Sequence, residues 1–336
     1  MTSNKDPDPA GYTDDAAETH VPRSDRSHRK FESLIARTRD IPAIATAVVW
    51  PCEAHALEGP MDAQREQIIK PVLIGRAARI RVVADKAGLD LSGCTIVDVA
   101  TEAEAAAAAV GMVREGKMQA IMKGSIHTDV LMHPVVSDGG LRTSRRVSHV
   151  FLVAAPGYPE ILFVTDAAIN IFPDLDCKRD IVQNAIDLHI GLGLGEPRVA
   201  ILSAVEVINA KIPGTTDAAI LCKMADRGQI TGGVLDGPLA MDNAVSAEAA
   251  KLKGIMSPVA GRAQILVVPD LEAGNMLAKN LIFMAGADAA GIVLGARAPV
   301  ILPSRADSLH TRLASAAVGA LYAHHLAQEN EKPGKA

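Results

Sequence analysis

From Phe31 onward, short runs rich in Val, Ile and Ala alternate with segments of helical period. That alternation constrains the fold more than any other feature of the chain. AIATAVVW (43–50), KPVLIGR (70–76) and CTIVDVA (94–100) each read as a strand. Between the last two, AARIRVVADKAGL carries apolar residues three and four apart and reads as a helix. Thr101 and Glu104 open the next helix, TEAEAAAAAVGMVREGK, as N-cap and capping-box partner. The strand MQAIMKG follows, then a loop region rich in Gly, Ser and Arg up to Ser148. A second series runs through HVFLVAA, EILFVTDA, a helix in DIVQNAIDLHIGL, PRVAILSA, GGVLDGP and AQILVVPD. Strands separated by helices pack as parallel sheets with helices on their faces. PVILP and the helix from Ser308 to about Gln328 are too little for a third domain, so they must join an existing sheet.

The expectation is an α/β protein of two parallel-sheet-containing domains with a cleft between them, where such folds bind small ligands. Residues 31–146 plus 298–330 would make the first domain and 147–297 the second, with 1–30 a loosely attached tail. A chain of 336 residues is long enough for two cores. The tail mixes Asp, Pro, Ser and both charge signs and lacks the apolar run of a signal peptide. No stretch of about 20 apolar residues is free of charge, so no membrane span is expected. A net charge of −5 and 3% aromatic residues argue against a nucleic-acid surface. The four cysteines, Cys52, Cys94, Cys177 and Cys222, form no CxxC pair. Buried, inert thiols in a reducing cytoplasm are the plain reading, and neither a disulfide framework nor a structural metal is expected.

In open α/β sheets, ligands bind beyond the carboxyl ends of the strands. MQAIMKG is followed by SIHTD, which offers Lys123, Ser125, His127 and Thr128. GGVLDGP offers Asp236, with Asp242 shortly after it, and AQILVVPD leads to Asp270 and Asn275. The loop GGLRTSRRVSH supplies Arg142, Arg145 and Arg146, and PVILP is followed at once by Ser304 and Arg305. Each has a plain structural alternative. Ser304 or Ser308 caps a helix, Asp236 makes a turn, Asp270 caps the helix of LEAGNMLAK, and the arginines are solvated charges. Asp174 and Asp176 precede a helix, where acidic side chains complement the dipole, so they are read as capping rather than metal-binding. The chain has no GxGxxG after an early strand, no GxxxxGK[ST] and no GxSxG. A cleft rich in Arg, Ser and Asn suits an oxyanion such as phosphate.

Read together, VVWPCEAHALEG, KGSIHTD, LRTSRRVSHVFLV, LSAVEVINAKIPGTTDA, RGQITGGVLDGPLAMDNAVS, VPDLEAGNMLAKNLIFMAGADAAGIVLGA and PVILPSRADS resemble the phosphate acetyltransferase/phosphate butyryltransferase family. The resemblance runs from about Phe31 to Tyr322, and LSAVEVIN with DGPLAMDNA is closer to the butyryltransferase-like branch. It implies reversible acyl transfer between coenzyme A and phosphate, with acyl-CoA a substrate and no tightly bound cofactor or metal. It also implies a homodimer with a fold like that of isocitrate and isopropylmalate dehydrogenases. The family's Ser-Arg pair falls on Ser304 and Arg305, its His loop on KGSIHTD, and its DGP…D segment on Asp236 and Asp242. Typical acetyltransferases carry an aspartate several residues after the pair; here that place holds Thr311, and Asp307 is the nearest carboxylate and the candidate base. Two other readings stand beside this one: a non-catalytic protein that binds CoA or phosphate, and a nicotinamide-dependent dehydrogenase on the same fold.

Overall fold

The computed structural model describes residues 23–303 and 308–331. The strands in chain order are β1 (Ile44–Val49), β2 (Ile69–Gly75), β3 (Thr95–Asp98), β4 (Ala120–Lys123), β5 (Ser148–Ala154) and β6 (Leu162–Thr165). They continue with β7 (Arg198–Leu202), β8 (Val234–Leu239), β9 (Ile265–Val267), β10 (Asp288–Leu294) and β11 (Val300–Ile301). All eleven form one sheet, in the order β3-β2-β1-β4-β11-β10-β5-β6-β9-β7-β8. Five strands at one end, β3 to β11, are mutually parallel, as are β6, β9, β7 and β8 at the other. β10 and β5 join the two flanks through antiparallel pairings with β11, with each other and with β6.

The parallel flanks are those expected from the alternation, and β11 inserts beside β4, an existing sheet. The antiparallel joint is a departure from purely parallel sheets. Its β10, DAAGIVL, opens with Asp, Ala and Gly, which have weak strand propensity, so it does not stand out as a strand in the sequence. The link between β5 and β6 covers residues 155–161, too short for a crossover helix, and such a link forces an antiparallel pair.

The helices are α1 (Arg23–Arg37), α2 (Ala54–Arg65), α3 (Ala77–Ala87), α4 (Glu102–Arg114), α5 (Thr128–Val136) and α6 (Leu175–Gly191). After them come α7 (Pro213–Asp226), α8 (Met241–Val245), α9 (Ala247–Leu252), α10 (Leu271–Phe283) and α11 (Leu309–Glu331). Local chemistry sets several starts. The Glu104 N–H donates to Thr101 Oγ1 at 3.2 Å, while the Glu104 carboxylate accepts from Ala100 N at 2.8 Å, a capping box displaced by one residue. Asp174 accepts from Cys177 N at 2.8 Å and Asp270 from Ala273 N at 2.9 Å, so both aspartates cap helices. α1 begins at Arg23, so the last eight residues of the segment expected as a tail are helical. Further along it, Phe31 and Leu34 are fully buried, which is worth about 1.5–3 kcal/mol for each such side chain.

Alternation along each strand divides the core between the two faces of the sheet. On one face α1, α6, α7 and α11 cover Val150, Leu152, Phe163, Ile201 and Ile292, and α2, α3 and α11 cover Val48, Leu73, Met122 and Ile301. The opposite face is covered by α4 and α5 over the first flank and by α8 and α10 over the second. Between those two sets, the central strands present His149, Phe151, Gly291 and Leu302 on that same opposite face, where a pocket opens. Among the described residues, no helix is long and apolar enough to cross a membrane.

Candidate active site

The pocket lies over the end of β11, the start of β10 and the middle of β5, and has a volume of about 270 Å³. Its walls are mainly apolar: Phe151, Ile282, Ala287, Ala289 and Leu302, with Gly291 in the floor. Lys279 stands at its rim, one helical turn beyond Asn275. Ser308 and Thr311, at the head of α11, close the remaining side. Ser308 Oγ accepts from Thr311 N at 3.2 Å, and the two hydroxyl oxygens lie 3.0 Å apart. Thr311 is buried, and it stands where the family resemblance would put an acid–base aspartate; a threonine hydroxyl carries no charge to do that work. Ser304, Arg305 and Asp307 lie outside the described residues.

Register places Lys123 on the same row as the pocket floor. Met122 pairs Ile301, Ile301 pairs Ile292, and Gly291 pairs Phe151, so Lys123, Leu302, Gly291 and Phe151 follow one another across the sheet. The loop after β4 is held tightly to the end of β1. Gly124 N donates to Val49 O at 2.9 Å, and a Cβ at Gly124 would sit 2.4 Å from that oxygen, so only glycine fits. Ser125 is buried and its hydroxyl is committed to this loop, donating to Trp50 O at 2.8 Å and accepting from Cys52 N at 3.2 Å. His127 is exposed at the N-cap position of α5, and Thr128 begins that helix.

On the other side of the central strands, α10 approaches the loop after β6 closely. A Cβ at Gly274 would meet Asp166 O at 2.7 Å, and the neighbouring Asn275 donates to Ala167 O at 3.2 Å. Asp166 is buried and ties the loop together, accepting from Ala168 N, Ile169 N and the Asn170 side chain at 2.9, 3.0 and 2.6 Å.

The remaining candidates lie elsewhere. Arg145 forms an ion pair with Asp187 in a polar pocket between α6 and α11. Arg142 is exposed and lies 3.9 Å from Asp138. Arg146 is exposed; its backbone N–H donates to Asp180 at 2.9 Å, and its guanidinium makes no ion pair among the described residues. Asp236 sits on the outermost strand β8, seven strand spacings from Lys123, or roughly 30 Å at about 4.8 Å each. Its carboxylate accepts from Gly237 N at 2.8 Å, as a turn residue does. Asp242 pairs with Lys253 at 3.1 Å on the surface, beside Glu206, and Lys253 holds both carboxyls below their usual range. Within one chain, then, the cluster expected from the sequence divides. Lys123, His127, Thr128 and Asn275 flank the central strands, and Asp236 and Asp242 do not join them.

Phe151 and Gly291, which line the pocket, and His149, buried beside them, are not at the strand ends where the sequence points to ligands. They lie inside strands, and the one visible signal was a histidine in the otherwise apolar HVFLVAA. His149 is 1% exposed, and burial pulls its pKa down to about 4 despite the nearby Asp166 charge. The imidazole is therefore neutral at pH 7. Burial also pushes the thiols up, Cys177 to about 11 and Cys222 to about 12, with Cys52 and Cys94 raised in the same direction. None of the four is poised as a thiolate nucleophile.

Residues 101–320 match the family model described as phosphate acetyl/butaryl transferase. A phosphate acetyltransferase of Rhizobium meliloti is 62% identical over 295 residues, 88% of this chain and 93% of that one. A phosphate butyryltransferase of Clostridium beijerinckii is 39% identical over 296 residues, 88% of this chain and 98% of that one. Among solved structures, a branched-chain phosphotransacylase from Enterococcus faecalis V583 has a TM-score of 0.73 at 30% identity, covering 84% of this chain and 99% of its own. The chain belongs to the phosphate acetyl/butyryl transferase family, as its sequence motifs implied. The wider likeness to dehydrogenases is one of fold: a 4-hydroxythreonine-4-phosphate dehydrogenase from Burkholderia phymatum has a TM-score of 0.52 at 14% identity over 84% of this chain and 98% of that one.

Proposed function

We propose that this chain transfers a short acyl group between coenzyme A and inorganic phosphate, acetyl being the first candidate and butyryl the second. The reading is supported above all by one observation. Leu302 and Ser308, which flank the family's Ser-Arg pair in sequence, both line an apolar pocket over the central strands. In this reading the pocket is the floor of a cleft between the halves 31–146 plus 298–330 and 147–297, with Lys123, His127 and Thr128 on one bank and Asn275 and Lys279 on the other. Asp236, Asp242, Arg142, Arg145 and Arg146 are left outside it.

A phosphate oxygen attacks the thioester carbonyl carbon, a C–O bond forms, and negative charge collects on the carbonyl oxygen. Arg305 holds the phosphoryl oxygens in a forked pair of hydrogen bonds. Ser304 donates its hydroxyl to the developing oxyanion, and a charged hydrogen bond of that kind is worth about 1.5–3 kcal/mol. Since about 1.4 kcal/mol is tenfold in rate, this one contact supplies a factor of ten or more. The C–S bond then breaks and the coenzyme leaves as a thiolate, which takes up a proton. In the reverse direction the thiol, with an ordinary pKa of about 8.5, gives that proton to Asp307. Coenzyme A is substrate here, and no tightly bound cofactor is called for. The four free cysteines support work in the reducing cytoplasm. Apolar side chains exposed along α10 and the loop before α6 support a homodimer.

The test is release of free thiol from acetyl-, propionyl- and butyryl-CoA, with and without phosphate. Phosphate-dependent release is expected, and Arg305→Ala should lower kcat/KM by two orders of magnitude or more, on the order of 3 kcal/mol. Absence of release with all three thioesters, or a near-normal rate in Arg305→Ala, would defeat the reading.

A further inference from the structure

The floor of the pocket is built around a missing side chain. Gly291 lies directly opposite Phe151 in the antiparallel pair β10–β5, so both face the same side of the sheet. A Cβ at Gly291 would lie 3.0 Å from His149 Nε2, 3.2 Å from Leu302 O and 3.5 Å from Phe151 Cε1. The His149 and Phe151 rings meet edge to face with centroids 4.4 Å apart, so buried His149 backs the Phe151 ring, which with Gly291 lines the cavity. His149 cannot yield, because it is 1% exposed. Phe151, only partly buried, stays at ordinary contact distance from that position, so an added methyl would stand beside its ring and take volume from the floor of the cavity.

The chemistry of this floor selects among the parts of an acyl-CoA. Phe151, Ala289, Leu302, Ile282 and Phe283 offer carbon surface, and the polar residues of the lining are Lys279, Asp288, Ser308 and Thr311. A phosphoryl group would desolvate against such a floor without partners, at a large cost. An aliphatic chain loses nothing there. We propose that this pocket receives the acyl chain of the thioester, and that Gly291 and Phe151 set the length of chain it accepts. The assignment rests on the proposed acyl transfer and adds to it the residues that measure the substrate.

Two substitutions move the floor in opposite senses. Gly291→Ala adds a methyl to the floor, and Phe151→Leu removes aromatic bulk from the wall. One methylene in an apolar pocket is worth about tenfold to two-hundredfold in kcat/KM. Gly291→Ala is therefore expected to lower the butyryl-to-acetyl ratio of kcat/KM by about tenfold or more, and Phe151→Leu to raise it several-fold. Each ratio is measured on one preparation, so a reduced folded fraction cancels, and a shift in the stated sense in either variant supports the assignment. An unchanged ratio in both variants, or a shift in the opposite sense, overturns it. So does a uniform loss for all thioesters together with free coenzyme A, which would place the coenzyme's arm in the pocket instead. Calorimetric affinities of acetyl- and butyryl-CoA for the same proteins supply a readout that does not depend on turnover. If the wild type releases no thiol, the acyl-transfer reading fails, while the butyryl-to-acetyl affinity ratio still decides the pocket.

Discussion

His149 keeps 1% of its surface, and its Nδ1 has no hydrogen-bond partner among the described residues. Desolvation is the main cause of its lowered pKa, and the Asp166 charge acts in the opposite sense without overcoming it. The sign of the stability effect follows from proton counting. Between about pH 6.5 and pH 4 the unfolded chain binds a proton here that the folded chain refuses, so stability falls as pH falls through that window and the loss saturates below about pH 4. A shift from 6.5 to about 4 is worth roughly 3 kcal/mol, at about 1.4 kcal/mol per pKa unit. His189, also lowered by burial, adds a loss of the same sign, so the comparison must be with a variant. His149→Leu should lose less stability than the wild type on going from pH 7 to pH 4.5, as read by denaturant midpoints at each pH. Equal losses would show that His149 is solvated or protonated in the folded state. At this scale the sequence was informative where the partner is local. Thr101, Asp174 and Asp270 could be read as caps because each bonds a backbone N–H three residues on. Gly291 and His149 could not be read, because what they do is set by residues on neighbouring strands.

α11 shows the same limit for an element. Its sequence, LHTRLASAAVGALYAHHLAQENE, reads as a helix, but its small residues Ala314, Ala316, Ala317, Gly319 and Ala320 do not say what they face. They let the helix lie almost against the sheet: a Cβ at Gly319 would come within 2.4 Å of Ile301 Cδ1 and 2.6 Å of Cγ1. Two effects oppose each other in Gly319→Ala. Helix propensity favours alanine by about 1 kcal/mol. Forcing a methyl into a packed contact costs about 1–3 kcal/mol. With both nearest atoms under 3 Å the packing cost should win, and the variant should be less stable by about 1–2 kcal/mol in denaturant titration. Ile301→Ala in the same chain should recover part of the loss, because it removes the two atoms the methyl meets. A stabilised Gly319→Ala would mean that α11 stands farther from β11 than its packing indicates. β11 leads into residues 304–307 and α11 follows them, so this contact holds together the two elements that bracket the Ser-Arg pair in sequence.

Over the whole molecule, alternation of strands and helices was enough to expect an α/β protein and to attach the last strand to an existing sheet. It was not enough to find how the two parallel flanks meet, because β10 is small-residue-rich and the short β5–β6 link had to be weighed as a length rather than a composition. The family motifs supplied the chemistry, since spacing alone could not tell an anion cleft from a run of caps and turns. Surface pattern carries one more consequence at this scale. Met276 and Phe283 project from α10 seven residues apart, hence on one stripe, and are 65% and 72% exposed. Phe172 is 78% exposed and Ile171 61%, on the loop whose Ile171 carbonyl accepts from Leu271 N, the first residue of α10, at 3.1 Å. Scattered apolar side chains need no partner, but large ones in line along a helix and the loop packed at its head form a patch that water covers at a cost. A second copy of the chain would bury it on both sides at once, by two-fold symmetry. Light scattering should therefore give twice the mass of one chain. Phe172→Glu combined with Met276→Glu, neither of which lines the pocket, should shift the protein toward monomer by placing charges where the apolar surface would be buried. A wild-type mass of one chain, or a dimer that both glutamates leave intact, would remove α10 from the interface.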